Sequence, residues 1–303
     1  MTPSPHLGDL YAVASTVCFA ASNITVARGA RRGADDNGAF ISLLVTTVVA
    51  GGGWMILGAL KGFEPVTWRA ILWFIGAGAF TMFVGRVFFY SAIEHLGAMR
   101  ASTTKRLIPF FSVMLGVGVL GEALTGGMVA GMLLILASFA VLVRGSMRAA
   151  SPGTARGRGF NVGYIYGPVS ALGYAMGYVL RKMGLADAHD AMLGAAVGCL
   201  AAVVLFATTA TFNDSYARAV RSTFSRPNPW LVAAGALASG GQVFYFMALN
   251  ESPMARVALV ASVEVFVTLF LGAIFLRKSE SLTPALLLAA FLGVAGTASV
   301  IAF

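Results

Sequence analysis

Charge is the scarcest property of this 303-residue chain: Asp, Glu, Lys and Arg together make up 11% of it. That leaves too little polar side chain to solvate the surface of a water-soluble globule, which is therefore excluded. Cysteine is nearly absent. The two present, Cys18 and Cys199, lie inside apolar stretches, so neither a disulfide framework nor a cysteine zinc site is available and both read as small core residues. Histidine is equally sparse. His6, His95 and His189 all fall at or beyond the ends of apolar runs, with no paired metal ligands and no buried Ser/His/Asp set, which argues against a membrane-embedded enzyme. No glycine-rich phosphate loop carrying Lys-Ser or Lys-Thr occurs, so ATP hydrolysis is not expected and no cofactor is implied. A basic leader with a cleavage site is also missing before the first apolar run, which is expected to remain as an uncleaved membrane helix.

What the chain does have is long apolar runs. Hydrophobic residues make up 58% of it, and the mean hydropathy is +0.83. About 20 residues cross a bilayer as a helix, and runs of that order lie near 9–27, 38–60, 68–92, 99–120, 125–144, 161–181, 189–211, 229–250, 255–276 and 283–303. Such continuous runs are not the alternating strands of a barrel, so each is expected to be a helix. The formal charge of +9 sits mostly in short segments between runs, where lipid phosphates are the expected counterions and a nucleic-acid partner is not. Small residues such as Gly116, Gly118, Gly194, Gly198, Gly293 and Gly296 should let helix backbones approach closely.

The stretch 145–160, rich in Gly, Ser, Pro and Arg, divides the runs into five and five. Offsetting the halves by about 155 residues aligns Gly8, Tyr11, Ser15 and Ala20 with Gly163, Tyr166, Ser170 and Ala175. A further residue of slip aligns Val87-Phe88 with Val243-Phe244 and Arg100 with Arg256. Glu122-Ala-Leu-Thr125 falls in the same order on Glu280-Ser-Leu-Thr283. An odd number of spans per copy forces opposite insertion. The expected fold is all-α and integral to the membrane: ten transmembrane helices as two inverted five-helix repeats around a central cavity. One transport domain covers 1–303, with repeat one at 1–144, a linker at 145–160 and repeat two at 161–303.

A charge at the bilayer centre costs about 2.5–3.5 kcal/mol on insertion scales unless it faces protein, water or a partner. Arg86, Lys105 and Arg106 lie at one depth, near the junction of the third and fourth runs, and Glu264 lies inside the ninth. A cationic wall can hold a carboxylate and an acidic one an ammonium, so the matching small-molecule substrate is a zwitterion. Asn23, Tyr90, Tyr174, Tyr178, Gln242 and Tyr245 are candidates for the rest of a binding wall. Each has a plainer reading. The cations can snorkel to the nearer interface, Glu264 can form a structural ion pair or carry a proton, and the aromatics can serve packing or the interfacial belt. Pro109 and Pro168 interrupt helix hydrogen bonding and read as gate hinges or as static kinks. Glu122 reads as a cap or pin for the turn that carries it.

The five-plus-five arrangement, the run from Ala101-Ser102 to Pro109, the segment Gly121-Glu122-Ala-Leu-Thr125 and the small-residue fifth run together resemble the drug/metabolite transporter superfamily in its EamA-like branch. Where that family commonly has Glu-Pro in the ninth helix, this chain has Glu264-Val265. The resemblance implies a secondary transporter of small metabolites, amino acids among them, in the bacterial inner membrane. It would export amino acids, aromatic or apolar ones among them, or similar zwitterions by alternating access. A proton-coupled exporter of drugs or anionic metabolites is the neighbouring alternative, and a monomer in the lipid bilayer would suffice for either. Loops on one side carry more than twice the Lys and Arg of the other. The positive-inside rule therefore puts both termini outside, while the resemblance puts both inside.

Overall fold

A computed structural model describes residues 5–30, 39–85, 88–89, 107–149, 163–225, 227–275 and 284–302. Within these residues every regular element is a helix and there is no strand. In the first half α1 spans Pro5–Ala30, α2 Ala39–Lys61, α3 Trp68–Ala79, α4 Ile108–Leu120 and α5 Gly126–Ala149. In the second half α6 spans Gly163–Asp187, α7 Ala191–Ala210, α8 Asp214–Ser225, α9 Pro229–Glu251, α10 Met254–Ala261, α11 Glu264–Phe275 and α12 Pro284–Ala302. Six helical stretches among the described residues are long and apolar enough to cross a bilayer: His6–Val26, Ala39–Lys61, Trp68–Gly85, Ala191–Ala210, Pro229–Glu251 and Met254–Gly272. Their outer faces carry large apolar side chains such as Leu60 and Trp68, 76% and 75% exposed. Hydrocarbon rather than water is the solvent that suits such a surface.

Local chemistry sets several boundaries. Asp190 accepts from the backbone N–H groups of Met192 and Leu193, both at 3.0 Å, and starts α7. Asn228 accepts from Trp230 N–H at 3.0 Å and Pro229 occupies the first turn of α9, where its missing N–H costs nothing.

Five elements differ from the run boundaries read in the sequence, the fifth run among them, since α5 continues past 144 to Ala149 and takes in the start of the stretch read as a linker. The third run loosens after Ala79 into a π-helical turn, Phe80–Gly85, where the Thr81 hydroxyl bonds back to the Ala77 carbonyl at 2.8 Å. The sixth continues past 181 to Asp187. The ninth breaks at Ser262–Val263, between α10 and α11. There the Ser262 hydroxyl bonds the Leu259 carbonyl at 2.6 Å, competing with regular helix hydrogen bonding. Finally, the basic segment after the seventh run contains a helix, α8, started by Asn213 accepting from Ser215 N–H at 2.9 Å. Its Tyr216 ring packs on Phe206 of α7, centroids 4.6 Å apart, while the neighbouring Phe224 is exposed.

Contacts fix relative directions. Ser15 donates to the Gly241 carbonyl and Ser22 to that of Ala234, both at 2.8 Å, so α1 and α9 are antiparallel. Asp9 pairs with Arg256 and Arg28 reaches the Phe275 carbonyl, so α1 and the broken α10–α11 run side by side in one direction. Along α3 and α6, Trp73 pairs with Asp187 and the Gly85 carbonyl with Ser170, an antiparallel register. Glycine permits the tightest crossings: a Cβ on Gly78 would sit 2.2 Å from the Gly198 carbonyl oxygen, and one on Gly131 would sit 2.6 Å from that of Gly296. Gly118, by contrast, faces open space.

Candidate functional site

Two polar clusters stand out, one at the exposed Asn23 beside the half-buried Glu264 and one in the buried interior. The first lies where the ninth run breaks. Because α11 begins at Glu264, the carboxylate occupies a helix first turn, where the helix dipole favours negative charge. Asn23 of α1 donates to Glu264 Oε1 at 2.8 Å and stands 3.5 Å from Thr268 Oγ1.

The second cluster centres on Arg181, which stands at the end of the sixth apolar run. Extension of α6 to Asp187 carries Arg181 inward, where it is only 6% exposed. Its Nη1 donates to Gln242 Oε1 at 3.0 Å. The guanidinium carbon lies 4.8 Å from the Phe246 ring centroid, 5.3 Å from Tyr178 and 5.8 Å from Tyr245. The Tyr178 and Tyr245 rings approach to 4.8 Å between centroids. Gln242 falls near the middle of α9, which spans Pro229–Glu251, so Arg181 sits at mid-depth. A void of about 10 Å³ adjoins it, lined by Thr81, Gly78, Gly198, Cys199, Gln242 and Phe246 among others.

These clusters occupy different levels. Gln242 is level with Ser15 through the Ser15 to Gly241 bond. Asn23 lies about two helical turns, roughly 12 Å, further along α1.

Asn23 and Glu264 therefore come together, as do Gln242, Tyr178 and Tyr245. Tyr174 packs against Gly85, whose added Cβ would lie 2.9 Å from the ring. Arg86, Tyr90, Lys105 and Arg106 lie outside the described residues. Pro109 stands in the first turn of α4, and Pro168 lies within α6, which continues through it. The drop in hydropathy at Arg181-Lys182 hides Arg181 from a reading by span length. The acidic stop signals at Asp187 and Asp190 mark the later end of the helix.

One end of the bundle is tied by charge. Arg256 grips Asp9 through two bonds, 2.8 and 2.7 Å, and donates to the Ile301 carbonyl at 2.9 Å. Lys182 donates to the carbonyls of Leu249 and Ser252. Gly121, at φ 67, turns the chain after α4. Glu122, instead of pinning its own turn, accepts from Met254 N–H at 2.5 Å and Ala255 N–H at 2.9 Å, capping α10 in the other half. Next to this end opens a cavity of about 230 Å³ lined by Glu64, His189, Asp190, Asn250 and Glu251 with Tyr11 and other residues.

All-helical architecture, six stretches able to cross a bilayer and charged or amide side chains inside the bundle define a multi-pass membrane protein with a polar interior. The chain belongs to the EamA-like transporter family, whose family model matches residues 6–144 and again 161–302. Members of this family are membrane transporters of the drug/metabolite class. No curated protein matches the sequence. The chain is similar to a solved crystal structure described simply as that of a protein, with 21% identity over 99% of this chain and 96% of the other and a TM-score of 0.66. That likeness concerns the fold.

Proposed function

We propose that the protein is a secondary transporter exporting amino acids or similar small zwitterions across the bacterial inner membrane, by alternating access between two oppositely inserted five-helix halves. The observation that carries this reading is Glu264, placed at the break between α10 and α11 and bonded to Asn23 of α1 at 2.8 Å. A carboxylate at a broken membrane helix is the kind of site that grips the charged group of a cargo. In this reading Glu264 and Asn23 hold the ammonium, and Arg86, Lys105 and Arg106 hold the carboxylate. Tyr90, Tyr174, Tyr178, Tyr245 and Gln242 line the transport path, the last three at the deeper level of Arg181, and Pro109 and Pro168 act as hinges.

The pairing directions support opposite insertion. α1 is antiparallel to α9, and α9 is parallel to α2 through the Thr46 to Ser239 contact and the packing of Gly235 on Ser42 and Val45. α2 opposes α7, since Gly53 meets Met192 and Gly51 meets Ala196. α7 runs with α3, since Gly194 meets Phe74 and Gly78 meets Gly198. With α6 opposed to α3, α1 and its counterpart α6 point oppositely. The two separate matches to the family model also fit a duplicated chain.

The test uses purified protein in liposomes loaded with a labelled mixture of the twenty amino acids and common metabolites, scored for exchange. Amino acids are expected to exchange, and Glu264→Gln is expected to weaken that exchange about tenfold, equivalent to ~1.4 kcal/mol, without changing its pH dependence. Exchange confined to anionic metabolites would contradict the zwitterion reading. Loss of pH dependence in Glu264→Gln would make Glu264 a proton carrier instead.

A further inference from the structure

We propose that Arg181, together with Gln242 and the Tyr245 hydroxyl, forms a carboxylate-binding station on the transport path, distinct in depth from Glu264. This rests on the transporter reading only for its claim that the carboxylate belongs to cargo. A guanidinium presents five N–H donors. Among the described residues Arg181 uses one, toward the neutral oxygen of Gln242. No carboxylate among those residues forms an ion pair with it. Phe246, Tyr178 and Tyr245 present ring faces to the cation, which eases its burial but gives its remaining N–H groups no acceptor.

A second group beside it is equally unserved. The Tyr245 hydroxyl is buried and makes no hydrogen bond of normal geometry among the described residues, with the Tyr178 hydroxyl as a polar neighbour. Buried donors are ordinarily satisfied, and buried arginines ordinarily paired. Two unspent donors of this kind around one cation match an acceptor-only, negatively charged, planar group. A carboxylate is that group, and the fork of arginine fits it edge to edge. The adjoining void of about 10 Å³ holds about one water. Carboxylate binding therefore requires the packing around Gly78 and Gly198 to loosen, so the station is filled in one conformation of the cycle and emptied in another. Its separation from Glu264, roughly 12 Å along α1, makes it a second stop, not the other half of the Glu264 site.

The test follows the melting temperature of the purified full-length protein with sodium benzoate, benzylamine hydrochloride or sodium chloride at equal ionic strength, and in parallel the exchange of labelled phenylalanine in liposomes. Benzoate is expected to raise the melting temperature where benzylamine and chloride do not. Arg181→Gln is expected to abolish that shift and to cut phenylalanine exchange at least tenfold, while Arg181→Lys retains part of both. Tyr245→Phe removes only the hydroxyl and is expected to shrink the benzoate shift, which keeps the test decisive should Arg181→Gln fail to fold. An equal benzoate shift in wild type and Arg181→Gln, no benzoate shift in the wild type, an undiminished shift in Tyr245→Phe, or a chloride shift as large as that of benzoate would overturn the station. If benzoate binding depends on Arg181 yet no amino acid exchanges, the station stands and the cargo reading falls. If phenylalanine exchanges equally in wild type and Arg181→Gln, the reverse holds.

Discussion

Two arginines in the same bundle are treated in opposite ways. Arg256 meets the Asp9 carboxylate through two short bonds and adds a backbone carbonyl, so its charge is neutralised by the fold. Arg181, more deeply buried, meets one neutral amide and three aromatic rings. A charge that serves structure is closed off by its partners. One left half-served at mid-membrane costs stability and is the kind of group kept for a ligand. The contrast separates the tied end of the bundle, where Asp9 locks α1 and Glu122 the turn after α4 to α10 while Lys182 locks α6 to the end of α9, from the interior, where few such locks exist.

Substitutions at these positions sharpen the contrast. The largest effect is expected at the lock: Asp9→Ala leaves Arg256 buried without its carboxylate and should cost about 3–5 kcal/mol, seen as a lower melting temperature at neutral pH. Next is the crossing of α3 and α7. Gly78→Val would drive a side chain into the Gly198 carbonyl, 2.2 Å from the added Cβ, and overpacking of this kind costs about 1–3 kcal/mol. Glu122→Gln weakens a charge-assisted cap and should cost about 1 kcal/mol, read from the same melt. The smallest change in stability is expected at Arg181→Gln, within about 1 kcal/mol of wild type and on the stabilising side if any, since it removes an unneutralised buried charge. A severe loss of stability there would erase the distinction between the two arginines.

Much of this organisation was legible in the sequence. Run length and the paucity of charge foretold an all-helical membrane protein, and the order of Gly8, Tyr11 and Ser15 against Gly163, Tyr166 and Ser170 foretold the duplication that the two family-model matches repeat. Asn23 and Glu264 were picked out separately as polar residues in apolar runs, and the fold brings them into one hydrogen bond. What escaped depends on contacts distant in the chain. Glu122 looked like part of its own turn because its partners, Met254 and Ala255, lie in the other half. Arg181 looked like a loop cation because hydropathy falls at Arg181-Lys182, whereas α6 continues to Asp187 in its pairing with α3. Removing Arg181 from the loop cations sharpens the charge asymmetry between the two sides. The break at Ser262 and the helix at α8 were likewise masked, the first by an unbroken apolar run and the second by its basic content.

A carrier exposes an internal polar site to one side of the membrane at a time. Counterflow tests it most directly: liposomes containing the purified protein, preloaded with an excess of an unlabelled amino acid and exposed to the labelled form outside. A carrier predicts transient accumulation of label above its equilibrium level, with an initial rate that saturates as the outside concentration rises. Flux that rises linearly and is indifferent to the preload would contradict the account.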